Sequence, residues 1–243
     1  MIRLVVSDVD GTLTETRSGF RMPVETIKAM RRLEDSGIMV SLLSSNAFPV
    51  LAGLGRYIGL SGPLVGETGC LAFHRGEIVH LCRHSAGEAA RIVEEEFSEY
   101  LKGSWQNAFR LYDYAYKLKP GVDPGRILKM VEDRLRELGY RHIYVGFSGY
   151  ALHLTPLENA KAYGFKRILE LAGVEKRETA AIGDSIMDAP MLLEAGLPIA
   201  VGDADEELKR IARIVTSKPA GYGFAEAAEI ILREYSGSPT SSQ

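Results

Sequence analysis

Ile2-Arg3-Leu4-Val5-Val6-Ser7-Asp8-Val9-Asp10-Gly11-Thr12 is an apolar run that stops on two carboxylates placed two residues apart. The run reads as a fully buried strand, and its end as the edge of a parallel sheet. Open α/β sheets bind ligands just beyond the carboxyl ends of their strands. An Asp at that point can act as a nucleophile, a metal ligand or an acid/base. Alone, it can equally be a helix cap or a turn former. Matching parts downstream decide between these readings.

Outward from this strand, Pro23 opens a helix reaching residue 36, with Val24, Ile27, Met30 and Leu33 on one face and Gly37 as the stop. Residues 38–43 read as a strand, 47–58 as a helix closed by Gly59, and 63–65 as a short strand. That alternation predicts βαβ units. The pattern changes near residue 67. A hairpin is expected over 70–81 around His74-Arg75-Gly76, then a helix over 86–101 and a long strand over 109–118. A helix opening at Asp123-Pro124 and strands at 143–147 and 151–155 follow. The alternation then resumes, with helices at 160–172, 189–195 and 224–235 and strands at 179–182 and 199–201. The predicted fold class is α/β. A Rossmann-like parallel-sheet core takes residues 1–82 and 156–235, a smaller inserted α/β domain takes 83–155, and a Ser/Pro-rich tail at 236–243 is expected to be disordered.

The composition is that of a soluble globular chain, 46% apolar and 25% charged over 243 residues. A net charge of −3 offers no basic excess for nucleic acid. The first apolar run is too short for a membrane span or a signal-peptide core. The expected setting is therefore the cytoplasm, with no membrane partner. Cys70 and Cys82 show no metal-ligand spacing. In a cytosolic chain they read as reduced, partly buried thiols. A hairpin symmetric about Gly76 would set them face to face, so a disulfide is the alternative, favoured in a hyperthermophile.

Four segments fall at the ends of core strands or at the start of a core helix: Asp8-x-Asp10, Ser44, Lys161, and Gly183-Asp184-x-x-x-Asp188. If Asp8, Asp10, Asp184 and Asp188 converge, their mutual repulsion is costly. A hard divalent cation on oxygen ligands resolves it, Mg²⁺ being the usual choice beside phosphates. A hydroxyl and an ammonium, Ser44 and Lys161, suit a phosphoryl group. Asp8 can attack phosphorus, and Asp10 can protonate the leaving oxygen. Each residue also has a structural reading. Ser44 can be a strand-end turn, with Ser45 a rival for its role, and Asp184 and Asp188 can favour a helix N-terminus. Lys161 in a first helical turn opposes the helix dipole, which favours a functional role.

Together, in this order, the four segments resemble the motifs of the haloacid dehalogenase superfamily of phosphatases. The resemblance covers about two thirds of the chain by the extent of its core elements. It implies Asp8 as nucleophile and metal ligand, and Asp10 as acid/base with its carbonyl on the metal. It also implies Ser44 and Lys161 on the phosphoryl group, and Asp184 and Asp188 completing a Mg²⁺ site. An insert between the second and third motifs is similar to the subgroup with an α/β cap there. Ser44-Ser45-Asn46 and Gly62-Pro63-Leu64-Val65-Gly66-Glu67 look most like the archaeal-type phosphoglycolate phosphatases. Ser45, Thr68 and Ala162 depart from that pattern without removing a catalytic group. The implied substrate is a small phosphorylated metabolite, 2-phosphoglycolate first. A sugar phosphatase, a phosphotransferase or mutase, and a receiver-like module phosphorylated on Asp8 are the rivals. Tyr112, Tyr114 and Tyr116 read as one face of a strand. Such a stripe packs on helices or on a second subunit of a homodimer, or else roofs the site. His153 reads as structural, and Glu67 near the cleft has no assigned role.

Overall fold

The computed structural model describes residues 1–157 and 161–235. The helix expected from residue 160 is therefore described from Lys161, and the tail at 236–243 lies outside the described residues. The chain opens with β1 (Leu4–Ser7), α1 (Val24–Asp35), β2 (Met39–Leu43), α2 (Phe48–Ile58), β3 (Leu64–Gly66), β4 (Leu71–His74) and β5 (Glu77–His80). The middle segment holds α3 (Gly87–Glu96), β6 (Leu101–Gly103), β7 (Tyr114–Leu118), α4 (Pro124–Glu137), β8 (Ile143–Phe147) and β9 (Leu152–Pro156). The last segment holds α5 (Lys161–Ala172), β10 (Thr179–Gly183), α6 (Ala189–Leu192), β11 (Leu197–Ala200), α7 (Glu206–Ile211), β12 (Ile214–Val215) and α8 (Ala220–Ile230).

The first and last segments build one sheet in the order β12-β11-β10-β1-β2-β3-β4-β5. It is parallel from β12 to β3, and the hairpin adds two antiparallel strands. Val5, Val6, Val40, Leu42, Ala180 and Ile182 are buried on both faces, as a helix-covered parallel sheet requires. Ser7 lies opposite both Leu42 and Ile182. That register brings the ends of β1, β2 and β10 to one edge, where Asp8, Ser44 and Asp184 follow.

The middle segment forms a separate antiparallel sheet, β6-β7-β9-β8, with its own apolar cluster. Ala89 and Val93 of α3 and Ile127, Val131 and Leu135 of α4 pack there with Tyr116, Leu152 and Leu154. The molecule is thus an α/β core carrying a smaller inserted α/β cap. Among the described residues no helix is long and apolar enough to cross a membrane.

Three expected elements are shorter than the sequence suggests, among them the helix expected over 189–195, which ends at Leu192. The helix expected over 86–101 ends at Glu96, and Leu101 instead pairs with Leu118 as the first residue of β6. An apolar residue four positions beyond Phe97 fits a helix stripe and an edge strand equally well. The strand expected over 109–118 begins only at Tyr114. Residues Trp105–Phe109 form a 3-10 turn capped by Ser104, and the amides of Leu111, Tyr112 and Asp113 all donate to Glu67 Oε2. A carboxylate from the core thus takes the donors a ladder would need. Tyr112 therefore leaves the expected stripe. Tyr116 is buried under α3, its hydroxyl donating to the Ala90 carbonyl, so it packs on a helix rather than roofing a cleft. The short α7 and β12 had no periodicity long enough to announce them.

The hairpin turns on Arg75 and Gly76, both at positive φ (50° and 86°). Pairing runs from His74–Glu77 to Leu71–His80, so the next residue opposite Cys70 is Leu81. A bulge intervenes: the amides of Leu81 and Cys82 both donate to the Cys70 carbonyl, at 2.8 and 3.4 Å. The extra residue brings Cys82 level with Cys70, at a Cα separation of 4.8 Å, and the two form a disulfide. The expectation of reduced thiols is corrected on this point. Denatured, unreduced protein is expected to show no titratable thiol. Reduction should then cost about 2–3 kcal/mol in thermal or urea unfolding, as expected for so short a loop.

Candidate active site

The chain leaves β1 in a tight turn. The Asp8 amide still donates to the Ile182 carbonyl at 3.1 Å, and Leu13 donates back to Val9 at 2.8 Å. Gly11 sits at φ +90°, and a Cβ there would come within 2.4 Å of an Asp184 oxygen. Glycine is therefore required both by the backbone and by the approach of Asp184. Thr12 Oγ1 donates to Asp184 Oδ1 at 2.9 Å.

Three carboxylates, Asp8, Asp184 and Asp188, offer oxygens that all lie within 4.8 Å of one another, and all three are buried. Lys161, at the start of α5, donates to Asp8 Oδ1 at 2.6 Å and to Asp188 Oδ1. Its burial alone would pull its pKa down, but Asp188 and Asp8 more than reverse this and hold the ammonium charged. The cation that opposes the helix dipole is compensated by these two carboxylates. Asp188 Oδ2 accepts from the amides of Asp184 and Ser185 at 3.0 and 3.1 Å, fixing the loop after β10.

Burial pushes the Asp8 carboxyl well above the usual range, with Lys161 opposing and Asp188 and Asp184 adding to the rise. Burial and the charge of Asp188 push Asp184 up to about 6. Asp10 is raised by burial against the pull of an Asn46 hydrogen bond. Its carboxylate stands apart from the cluster: Asp10 Oδ2 accepts from Asn46 Nδ2 at 2.7 Å. Ser44 is buried and accepts from both the Asn46 amide and its side chain, at 3.2 and 3.0 Å.

The structure thus brings together Asp8, Lys161, Asp184 and Asp188 in one cluster, with Asp10 and Ser44 joined through Asn46. Sequence reasoning missed three contributors. Arg17 donates to Asp184 Oδ2 at 2.9 Å and to Asp205 Oδ1 at 2.8 Å. Asn46 was visible only as part of a quoted stretch. Gln106, from the inserted segment, donates to Asn46 Oδ1 at 2.7 Å. No spacing rule could have found Arg17 or Gln106, because each reaches the site across a fold-level contact. Glu67 now has a place too, holding the 111–113 loop of the inserted segment against the core.

The three clustered carboxylates outnumber the one ammonium set among them, and Arg17 is shared between Asp184 and Asp205, so the cluster keeps an excess of negative charge that a divalent cation would balance. The donors are hard carboxylate oxygens, so Mg²⁺ fits them. A buried carboxylate at a strand end, a fixed ammonium and an anionic oxygen cluster at a sheet edge suit an enzyme site of the group-transfer or hydrolytic kind.

A family model described as haloacid dehalogenase-like hydrolase matches residues 5–123 and 110–227. The chain belongs to that family. It is 47% identical to a phosphoglycolate phosphatase of Staphylothermus marinus, over 96% of this chain and 98% of the relative. It is 42% identical to another of Metallosphaera sedula, over 96% and 100%. Among solved structures it is similar to Thermoplasma acidophilum 0175, with a TM-score of 0.81 and 27% identity, covering 94% of this chain and 97% of that one. The chain is an enzyme, a phosphatase of this family.

Proposed function

We propose that the enzyme hydrolyses a small phosphomonoester, 2-phosphoglycolate to glycolate and inorganic phosphate, through an aspartyl-phosphate on Asp8. The carrying observation is the buried cluster of Asp8, Asp184 and Asp188 bridged by Lys161. The choice of ester follows the archaeal relatives named phosphoglycolate phosphatase.

In this reading Asp8 attacks phosphorus while the alcohol departs with a proton from Asp10. Asp10 then takes a proton from the water that releases phosphate from Asp8. Lys161 and the Ser44 hydroxyl hold the phosphoryl oxygens. Asp8, the Asp10 carbonyl, Asp184 and Asp188 would hold Mg²⁺. When bound, the ion neutralises the charge that builds on the phosphoryl group. Residues 83–155 serve as the cap, excluding water over the site, with residues 1–82 and 156–235 as the catalytic core. The reaction takes place in the cytoplasm.

A phosphate-release screen over small phosphomonoesters tests this. Phosphoglycolate should give the highest kcat/KM, activity should vanish in chelator, and Mg²⁺ should restore it. Preference for a sugar phosphate would overturn the substrate. Release only on addition of an acceptor alcohol would make the enzyme a phosphotransferase.

A further inference from the structure

The hydrogen-bond polarity around Asn46 runs in one direction, from the inserted domain to the catalytic edge. Gln106 Oε1 faces two groups that can only donate: the Ala47 amide at 2.6 Å and the Arg110 guanidinium at 3.5 Å. That fixes which end of the Gln106 amide is which, so its Nε2 must point to Asn46, where it donates to Oδ1 at 2.7 Å. Asn46 in turn has its Nδ2 left to give. It donates to Asp10 Oδ2 at 2.7 Å and to Ser44 Oγ at 3.0 Å. Ser44 Oγ also accepts from the Asn46 backbone amide at 3.2 Å. With its acceptor capacity taken, the Ser44 hydroxyl hydrogen is free to donate.

Were the Asn46 amide reversed, its carbonyl would face the Asp10 carboxylate, acceptor against acceptor. Gln106 is what forbids that reversal, and it belongs to the 3-10 turn Trp105–Phe109 of the inserted domain. Asn46 and Ala47 belong to the core. The chain of donors is complete only while that domain rests on the core.

We propose that Gln106 is a positioning residue: through the Asn46 amide it aligns the Asp10 carboxylate when the inserted domain is seated. Proton delivery to the leaving group is thereby tied to closure over the substrate. This rests on the reading of Asp10 as the acid/base.

The test uses Gln106→Met, which keeps the bulk and loses both polar ends, and Gln106→Glu, which sets an acceptor against Asn46 Oδ1. Three small substrates are compared by kcat/KM, which reports steps through departure of the leaving group. Phosphoglycolate and ethyl phosphate expel alkoxides that need a proton; acetyl phosphate expels a carboxylate that does not. Both variants should lose about 10- to 100-fold on the two alkyl esters, the usual cost of removing a partner that orients an active-site group. Acetyl phosphate should stay within about 3-fold of wild type, the absence of a transition-state loss. Equal loss on all three substrates overturns the proposal, as does a loss confined to phosphoglycolate, which would mean direct contact with the glycolate. Asp10→Asn separates the two levels of the argument. If it loses the alkyl esters selectively and the Gln106 variants do not, the relay is wrong and the acid/base reading stands. If Asp10→Asn loses all three equally, the acid/base reading itself fails.

Discussion

Asp8→Asn is expected to abolish turnover, with kcat on phosphoglycolate down on the order of 10⁴-fold or more, as for loss of a nucleophile elsewhere. Asparagine keeps the shape of the side chain and can still accept from Lys161, so binding geometry survives while the attacking anion does not. The same substitution should leave stability intact. Burial holds the Asp8 carboxyl well above the usual range, against Lys161 and with the repulsion of Asp188 and Asp184. A raised carboxyl pKa means that folding penalises the ionised form: the penalty is full above the folded-state pKa and shrinks as pH falls from there to the unfolded value. At neutral pH, without metal, Asp8→Asn removes that penalty. The melting temperature in chelator should therefore hold or rise. Phosphate release and calorimetry on the same preparation check both halves. Activity within about 10-fold of wild type would remove Asp8 from the chemistry. A collapse in melting temperature would make it a structural residue instead.

The core was legible because buried parallel strands and their helices have strong periods, and because the candidate site residues sit at strand ends. Asp8, Ser44 and Asp184 could be placed by counting along β1, β2 and β10. The inserted domain was legible as a change of pattern, but its loops were not. The amides of residues 111–113 spend their hydrogen bonds on Glu67, a partner more than forty positions away, so local alternation misread them as strand. Glu67 and Thr68 themselves sit at positive φ, 51° and 58°. Their amides are fixed by the carbonyls of Asn46 and Ser44, at 2.9 and 3.1 Å. Neither residue type announces that conformation, because tertiary hydrogen bonds impose it. The bulge that brings Cys82 level with Cys70 is a one-residue event of the same kind, invisible to periodicity. Arg17 and Gln106 escaped because their partners lie in other segments of the fold.

Asp113→Ala is expected to be the most destabilising single substitution outside the Asp8-Asp184-Asp188 cluster. Asp113 is fully buried where the inserted domain meets the core. Its Oδ1 accepts from Arg110 at 2.9 Å and faces His153 Nδ1 at 3.1 Å. Its Oδ2 accepts from Thr155 at 2.8 Å and, across from the core, from Thr68 at 2.9 Å. The Arg110 side chain is only 3% exposed, so truncating Asp113 strands a guanidinium away from water. Breaking one half of a buried pair costs about 3–5 kcal/mol. For a chain of this size that corresponds to roughly 10 °C in melting temperature. Burial works to raise the Asp113 pKa, but His153, Arg110 and Thr155 outweigh it and hold it below the ordinary carboxylate range. The sign follows from linkage. A depressed folded-state pKa contributes stability that is present above the unfolded value, about 3.9, and is lost as pH falls through the folded one. Calorimetry from pH 7 downward should therefore show wild type losing stability below about pH 4 more steeply than Asp113→Asn, which has no proton to take up. A loss under about 1 kcal/mol for Asp113→Ala would mean that Arg110 finds water or another partner, as it would if the inserted domain lifted readily from the core. The size of this penalty therefore measures how firmly the inserted domain is held over Asp8.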